Sequence, residues 1–375
     1  MKGEMRQSYS FDEVAIVPGE STLNPNQTDI GFQIGQYSFS IPVIAAAVDA
    51  VVDLNMAQAL TALGGLAVMN LEGLQTRYEH PEEPLREISA SPEGKVTELL
   101  QHLYSSPIRE ELIIRRIEEL NNAGARVAVS LTPASVNKYR RFLADSIIDI
   151  LVVQSTVTTA RHYPNSGLVF RDLVKEMGDI PVIVGNTASY QSTLELLEEG
   201  VAGILVGVGP GSACTSREVL GIGVPQVTAM MDATEARDEY LHRTGRYVPL
   251  IMDGGIRTGG DVCKSFVSGA DVVMLASALA QAEESPGYGY NWGMATSSVA
   301  LPRGTRVKVG TKGSLSTILF GPTSATDGTQ NLLGALRTSM GMCGCVTLQQ
   351  MHDIEMIIAP SIKTEGKIYQ RERSN

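Results

Sequence analysis

Eight short apolar runs, each followed by a turn and a stretch of helical periodicity, constrain this chain more than any other feature. They occupy residues 41–47, 66–69, 126–131, 149–153, 181–185, 203–207, 249–252 and 271–275. Short, nearly continuous apolar runs read as strands buried on both faces, and parallel strands of that kind need a covering helix at each crossover. The segments between them supply helical patterns, among them 55–63, 110–122, 191–200 and 261–269, several closing on a glycine suited to a left-handed cap. A doubly wound sheet usually needs only five or six strands, whereas eight βα units spread over residues 41–285 predict a (β/α)8 TIM barrel. The 375 residues are enough for one such domain, and the expectation is a single catalytic domain over 1–375. In that fold the chemistry sits on the loops after the strands.

Two segments fall outside the regular repeat. Residues 71–109, charged and punctuated by proline, predict an excursion with its own helices after the second strand. Residues 286–375 follow the eighth strand and predict a short flap over the barrel mouth, then a closing helix near 331–342. The net charge of −11 has the wrong sign for general electrostatic capture of nucleic acid, so an anionic ligand must be held locally. No apolar stretch approaches the length needed to span a bilayer and the first residues lack a signal-like apolar run, so the expectation is a cytoplasmic protein with no membrane partner.

The loop after the sixth run is built around something. It reads Gly207-Val208-Gly209-Pro210-Gly211-Ser212-Ala213-Cys214-Thr215-Ser216-Arg217, then Gly221-Ile222-Gly223-Val224-Pro225-Gln226. Glycines let backbone amides approach a ligand closely, and the proline stiffens the turn. Cys214, flanked by two hydroxyls and by Arg217, a cation that would favour the thiolate, is a candidate nucleophile; the ordinary alternative is a packed core thiol. The loop is not a dinucleotide fingerprint, because Ser212 stands where GxGxxG needs its third glycine. After the seventh and eighth runs come Asp253-Gly254-Gly255-Ile256 and Ala276-Ser277, in the usual phosphate neighbourhood of this fold. Asp253 would repel a phosphate and suits ribose hydroxyls better.

These motifs, with Phe11-Asp12-Glu13-Val14, Asp253-Gly254-Gly255-Ile256-Arg257 and Gly293-Met294, resemble the IMP dehydrogenase/GMP reductase family over most of the chain. The resemblance implies a purine nucleoside monophosphate, a nicotinamide cofactor, and covalent attack on purine C2 by Cys214. Carried over by position, Ala46, Val48, Ser212, Asp253, Gly254, Gly255, Ala276, Ser277, Asn291, Gly293 and Met294 surround the nucleotide. Gln154, Ser155, Asn186, Gly207, Val208 and Gly209 form the cofactor side. Two positions depart from the family's pattern: it generally has an acidic residue where Gln154 stands and Met where Val48 stands. The carbonyls of Gly209, Gly211 and Cys214 resemble the family's potassium site, and Glu365-Gly366 resembles the segment that completes it from a neighbouring subunit. A homotetramer, pairing into octamers, is the implied assembly.

Which branch of the family is at issue turns on small details. The regulatory domain pair that long IMP dehydrogenases insert after the second strand, over a hundred residues, cannot fit within 71–109. Val224, Ile256-Arg257 and Leu336-Arg337-Thr338-Ser339-Met340-Gly341 resemble the dehydrogenase branch. The flap has no Arg-Tyr pair to activate water, and the family's alternative relay, through the hydroxyl of Ser216 to a flap Glu, meets Arg303 instead. The expected reaction is oxidation of IMP to XMP with NAD. The alternatives are GMP reductase, using NADPH and releasing ammonia, and a regulatory protein that binds purine nucleotides without turnover. Trp292 would either stack on a bound ring or plug the barrel top. Cys343-Gly344-Cys345 lacks partners for a metal site and reads as helix-end packing.

Overall fold

The computed structural model describes residues 5–161, 167–293 and 305–360. Its centre is a closed barrel of parallel strands: β1 (Val43–Ala45), β2 (Leu66–Asn70), β3 (Ala128–Leu131), β4 (Ile150–Gln154), β5 (Val182–Thr187), β6 (Gly203–Val206), β7 (Leu250–Asp253) and β8 (Val272–Leu275). Each pairs with the next, and Val273 of β8 opposite Val43 of β1 closes the ring. All eight predicted runs are strands, as a (β/α)8 barrel requires.

Side chains alternate between two cores because strand residues point to opposite faces in turn. Leu66, Val68, Ile150, Val152, Ile183, Leu205, Ile251 and Met274 fill the barrel interior. Ala67, Met69, Leu151, Val153 and Val184 face outward to the helices. A hairpin of Phe32–Ile34 and Tyr37–Phe39 closes the end where the strands begin. Its Phe32 and Phe39 rings stack at 4.8 Å, and both belong to the interior core. The hairpin therefore seals one end of the barrel, and the other, open end carries the loops that follow the strands.

The βα turns end on residues that cap the next helix. Asp53 accepts from the Met56 amide at the start of α1 (Leu54–Ala62), and Thr258 does the same for Asp261 ahead of the helix Gly259–Val267. Thr132 caps Pro133–Ala144, whose first-turn proline has no amide to leave unpaired. The closing helix Leu332–Cys343 lies against Gly259–Val267, where a Cβ on Gly259 would sit 2.5 Å from that of Ala335. Cys343 and Cys345 are buried where this helix ends, as helix-end packing predicts.

The excursion after β2 forms two helices, Glu82–Ala90 and Glu93–Ser105. Leu85, Ile88, Val96, Leu100, Leu103 and Tyr104 from it enclose Trp292 in a third core. Trp292 is fully buried and belongs to the short ladder Tyr290–Trp292 with Arg306–Lys308. It is thus a structural plug, and the alternative of stacking on a ligand ring is excluded by its burial. Among the described residues no helix is long and apolar enough to cross a membrane.

Candidate active site

Four strands run past their last apolar residue into a polar one at the open end: Asn70 of β2, Gln154 of β4, Asn186 and Thr187 of β5, and Asp253 of β7. Across this rim, Gln154 and Asn186 donate to the same oxygen, Oδ2 of Asp253, at 3.0 and 2.8 Å. Gln154 also donates to Asn186 Oδ1 at 3.0 Å. Burial pushes the Asp253 carboxyl up to about 6, against the two amide donors, which favour its charged form. Residues assigned from sequence to opposite halves of the site, cofactor and nucleotide, are thus hydrogen-bonded to one another.

The loop after β6 folds tightly over β7. Gly207 adopts a φ of 149°, and a Cβ there would lie 2.1 Å from the Asp253 carbonyl. Gln226 ties the same two strand ends together, donating to the carbonyls of Val206 at 2.7 Å and Asp253 at 3.2 Å. In the sequence, the one signal of this role is the place of Gln226 just after Pro225 at a helix start. Pro210 rests on Gly254 and Gly255, whose added Cβ atoms would each approach its ring to 3.1 Å. Val208 is buried, and its carbonyl accepts from the Val224 amide at 3.1 Å.

At the far end of this loop Cys214 is half-buried, its amide donating to the Gly211 carbonyl at 3.0 Å. Its thiol donates to the Ser216 hydroxyl at 3.3 Å. Ser216 is fully buried and opens the short helix Ser216–Leu220. Arg217 has a different task from the one expected beside a thiolate: it donates to the Val224 carbonyl at 3.0 Å and lies against Gly209 and Gly223, so it holds the two arms of the loop together.

A second cluster forms where β8 ends. The Ser212 and Ser277 hydroxyls are 2.6 Å apart, and Asn291 donates to Ser277 at 2.8 Å. Asn291 is buried with its Oδ1 unpartnered. Hydroxyl rotors and a carboxamide can redirect their hydrogens toward an anion. Ala46, which donates to the Leu275 carbonyl at 2.9 Å, and Ala276 pack beside this cluster, and Val48 follows at the edge of the outer core. A Cβ on Gly293 would lie 3.4 Å from the Ala213 carbonyl, so the segment after β8 reaches the cysteine loop. Ser155 at the end of β4 is held by Val157 and Thr158. Met294, Arg303, Glu365 and Gly366 lie outside the described residues.

Comparison with known proteins gives the family. The sequence model of the IMP dehydrogenase / GMP reductase domain matches residues 8–365. The chain belongs to that family. Among curated members of the IMP dehydrogenase / GMP reductase family and its relatives, an uncharacterized oxidoreductase of Mycolicibacterium smegmatis is 36% identical over 94% of this chain and 97% of its own. Inosine-5'-monophosphate dehydrogenase of Methanocaldococcus jannaschii is 26% identical over 97% of this chain and 95% of its own. The crystal structure of an IMP dehydrogenase/GMP reductase-like protein from Corynebacterium glutamicum superposes with a TM-score of 0.90 at 31% identity, covering 96% of each chain. This chain is a short form of the family, an oxidoreductase barrel with 71–109 in place of the regulatory pair.

Proposed function

We propose that this chain oxidises inosine 5′-monophosphate to xanthosine 5′-monophosphate, with NAD as hydride acceptor and water as the source of the new oxygen. The observation that carries the reading is the half-buried Cys214 thiol hydrogen-bonded to Ser216, at the open end of the barrel between two polar clusters. Purine C2 lies between two ring nitrogens and is electron-poor, so a soft thiolate adds to it readily. The C2 hydrogen then departs with its electron pair as hydride. A thioimidate remains on Cys214; water adds to C2, the C–S bond breaks, and XMP leaves with net release of one proton.

In this reading Ser212, Ser277 and Asn291 hold the phosphate, Asp253 accepts from the ribose hydroxyls, and Ala46, Val48, Gly254, Gly255, Ala276, Gly293 and Met294 complete the nucleotide's surroundings. Gln154, Ser155, Asn186, Gly207, Val208 and Gly209 would hold the nicotinamide cofactor, which supplies hydride acceptance when bound. The rim fits it: Gln154 and Asn186 are uncharged carboxamides beside half-buried Ser155, so polar atoms are present without a fixed charge opposed to a nicotinamide ring. Ser216 would relay the proton of the attacking water. Carbonyl oxygens of Gly209, Gly211 and Cys214 would hold potassium; the Gly211 oxygen keeps a lone pair beyond the one used by the Cys214 amide, which suits a weakly held cation. A homotetramer is the expected assembly.

The dehydrogenase branch is supported by Val224, Ile256-Arg257 and Leu336–Gly341, and by relatives named as IMP dehydrogenases at 26, 28 and 29% identity. The test is absorbance at 340 nm with purified protein. NADH formation from IMP and NAD, with no NADPH consumption by GMP, is the expected result. NADPH loss with GMP alone would make the protein a GMP reductase, and nucleotide binding without either signal would make it a binding protein.

A further inference from the structure

The donors on Asp253 come from strands well separated in sequence: Gln154 is 99 residues away and Asn186 is 67. In the barrel β4 and β5 are neighbours, with Gln154 opposite Gly185, and β7 lies on the other side of β6. Both carboxamides therefore reach across the rim to one oxygen. They are themselves held: Asn186 donates its backbone amide to the Ser155 carbonyl at 3.1 Å and accepts from the Thr158 amide at 2.8 Å. Asp253 is fixed from behind by Gln226 on its carbonyl. No described hydrogen bond ends on Asp253 Oδ1.

The donor chemistry is specific to a carboxamide. A carboxylate at position 154 accepts only, and would set two negative charges within hydrogen-bond distance of each other. Glutamine reverses that polarity, since its NH2 group supplies one hydrogen to Asn186 and one to Asp253. Charge-assisted bonds of this kind fix both the rotamer and the ionised form of their acceptor.

We propose that Gln154 and Asn186, besides lining the cofactor side, are positioning residues for the nucleotide: together they clamp Oδ2 of Asp253 and leave Oδ1 to receive the cis-diol of a bound ribose. The inference rests on the reading above in which Asp253 is the ribose acceptor. It gives two residues of the cofactor side a second task in the nucleotide half.

The test is calorimetric titration of IMP, with no cofactor present, into the full chain and into Asp253→Asn, Gln154→Glu and the double variant, each checked for folding by circular dichroism. Gln154→Glu should weaken IMP binding about tenfold in the wild-type background and by less than about twofold in the Asp253→Asn background, because the carboxylate it acts through is gone. Equal losses in both backgrounds would overturn the proposal, as would unchanged IMP affinity accompanied by a raised KM for NAD alone. If Asp253→Asn itself binds IMP normally, the ribose assignment fails and the clamp fails with it, a pattern distinct from the other two. Should Gln154→Glu not fold, Gln154→Met, of similar length without donors, carries the same comparison, with a loss of severalfold expected and no loss overturning the clamp.

Discussion

The indole nitrogen of Trp292 donates to the Tyr104 hydroxyl at 3.1 Å. That hydroxyl donates in turn to Asp49 at 2.6 Å, while Asp49 also accepts from the Leu74 amide at 3.0 Å. All three side chains are buried, and burial pushes the Asp49 carboxyl and the Tyr104 phenol above their ordinary values. Asp49 directly follows Val48, and Trp292 stands between Asn291 and Gly293, so this chain of bonds braces two walls of the proposed nucleotide site from behind. Tyr104→Phe removes the acceptor for one buried donor and the donor for one buried carboxyl, a cost of about 2 kcal/mol. A lowered melting temperature and a changed Trp292 emission are expected, the latter being readable because the chain has a single tryptophan. An unchanged melting curve would show that the bonds contribute no net stability.

Cys214→Ala should reduce turnover on the order of 10³-fold or more, the scale on which losing a covalent nucleophile acts, while IMP still binds. Steady-state rates together with equilibrium titration check this. Substantial residual turnover would discard the covalent route.

Ser216→Ala should lower kcat by about 10²-fold with little change in the KM for IMP, as befits a group that handles a proton in the transition state. The hydroxyl is 3.3 Å from the sulfur and fully buried, so the variant leaves a small void as well as a missing acceptor. A rate equal to that of the wild type would move the proton to another group.

Asp253 gives a pH dependence with a defined sign. Its carboxyl is raised from the ordinary 3.8 to about 6, so the folded chain binds its proton more tightly than the unfolded chain does. The stability this group confers is fully present below the lower value and is lost as pH rises through the upper one. Relative to Asp253→Asn, the wild type should lose on the order of 2 kcal/mol between those two values, read as a shrinking difference in melting temperature. IMP affinity should run the opposite way, falling as acid below about 6 neutralises the acceptor. A flat difference across this window would contradict the raised carboxyl.

The barrel was legible because its strands are buried on both faces and leave continuous apolar runs. Their ends were not: Gln154, Asn186, Thr187 and Asp253 continue the ladders as polar residues, and hydropathy alone stops one or two positions early. The cysteine loop could be placed by its glycines and by family resemblance. The rim bonds joining Gln154 to Asp253 were hidden, since residues 99 apart meet only when the ring closes. The bond from Arg217 to the Val224 carbonyl was hidden for a related reason, since it joins the two arms of a folded loop. Trp292 offered two readings of equal merit until the excursion helices were seen to enclose it.

The enclosure of Trp292 also ties down the connection after the second strand. The connection after the second strand is where longer members of the family carry a regulatory domain pair. Here the same connection is fastened to the segment after the eighth strand by an indole and a phenol inside a small core. Any insertion into that connection would have to keep the Trp292–Tyr104 bond and the small core around it.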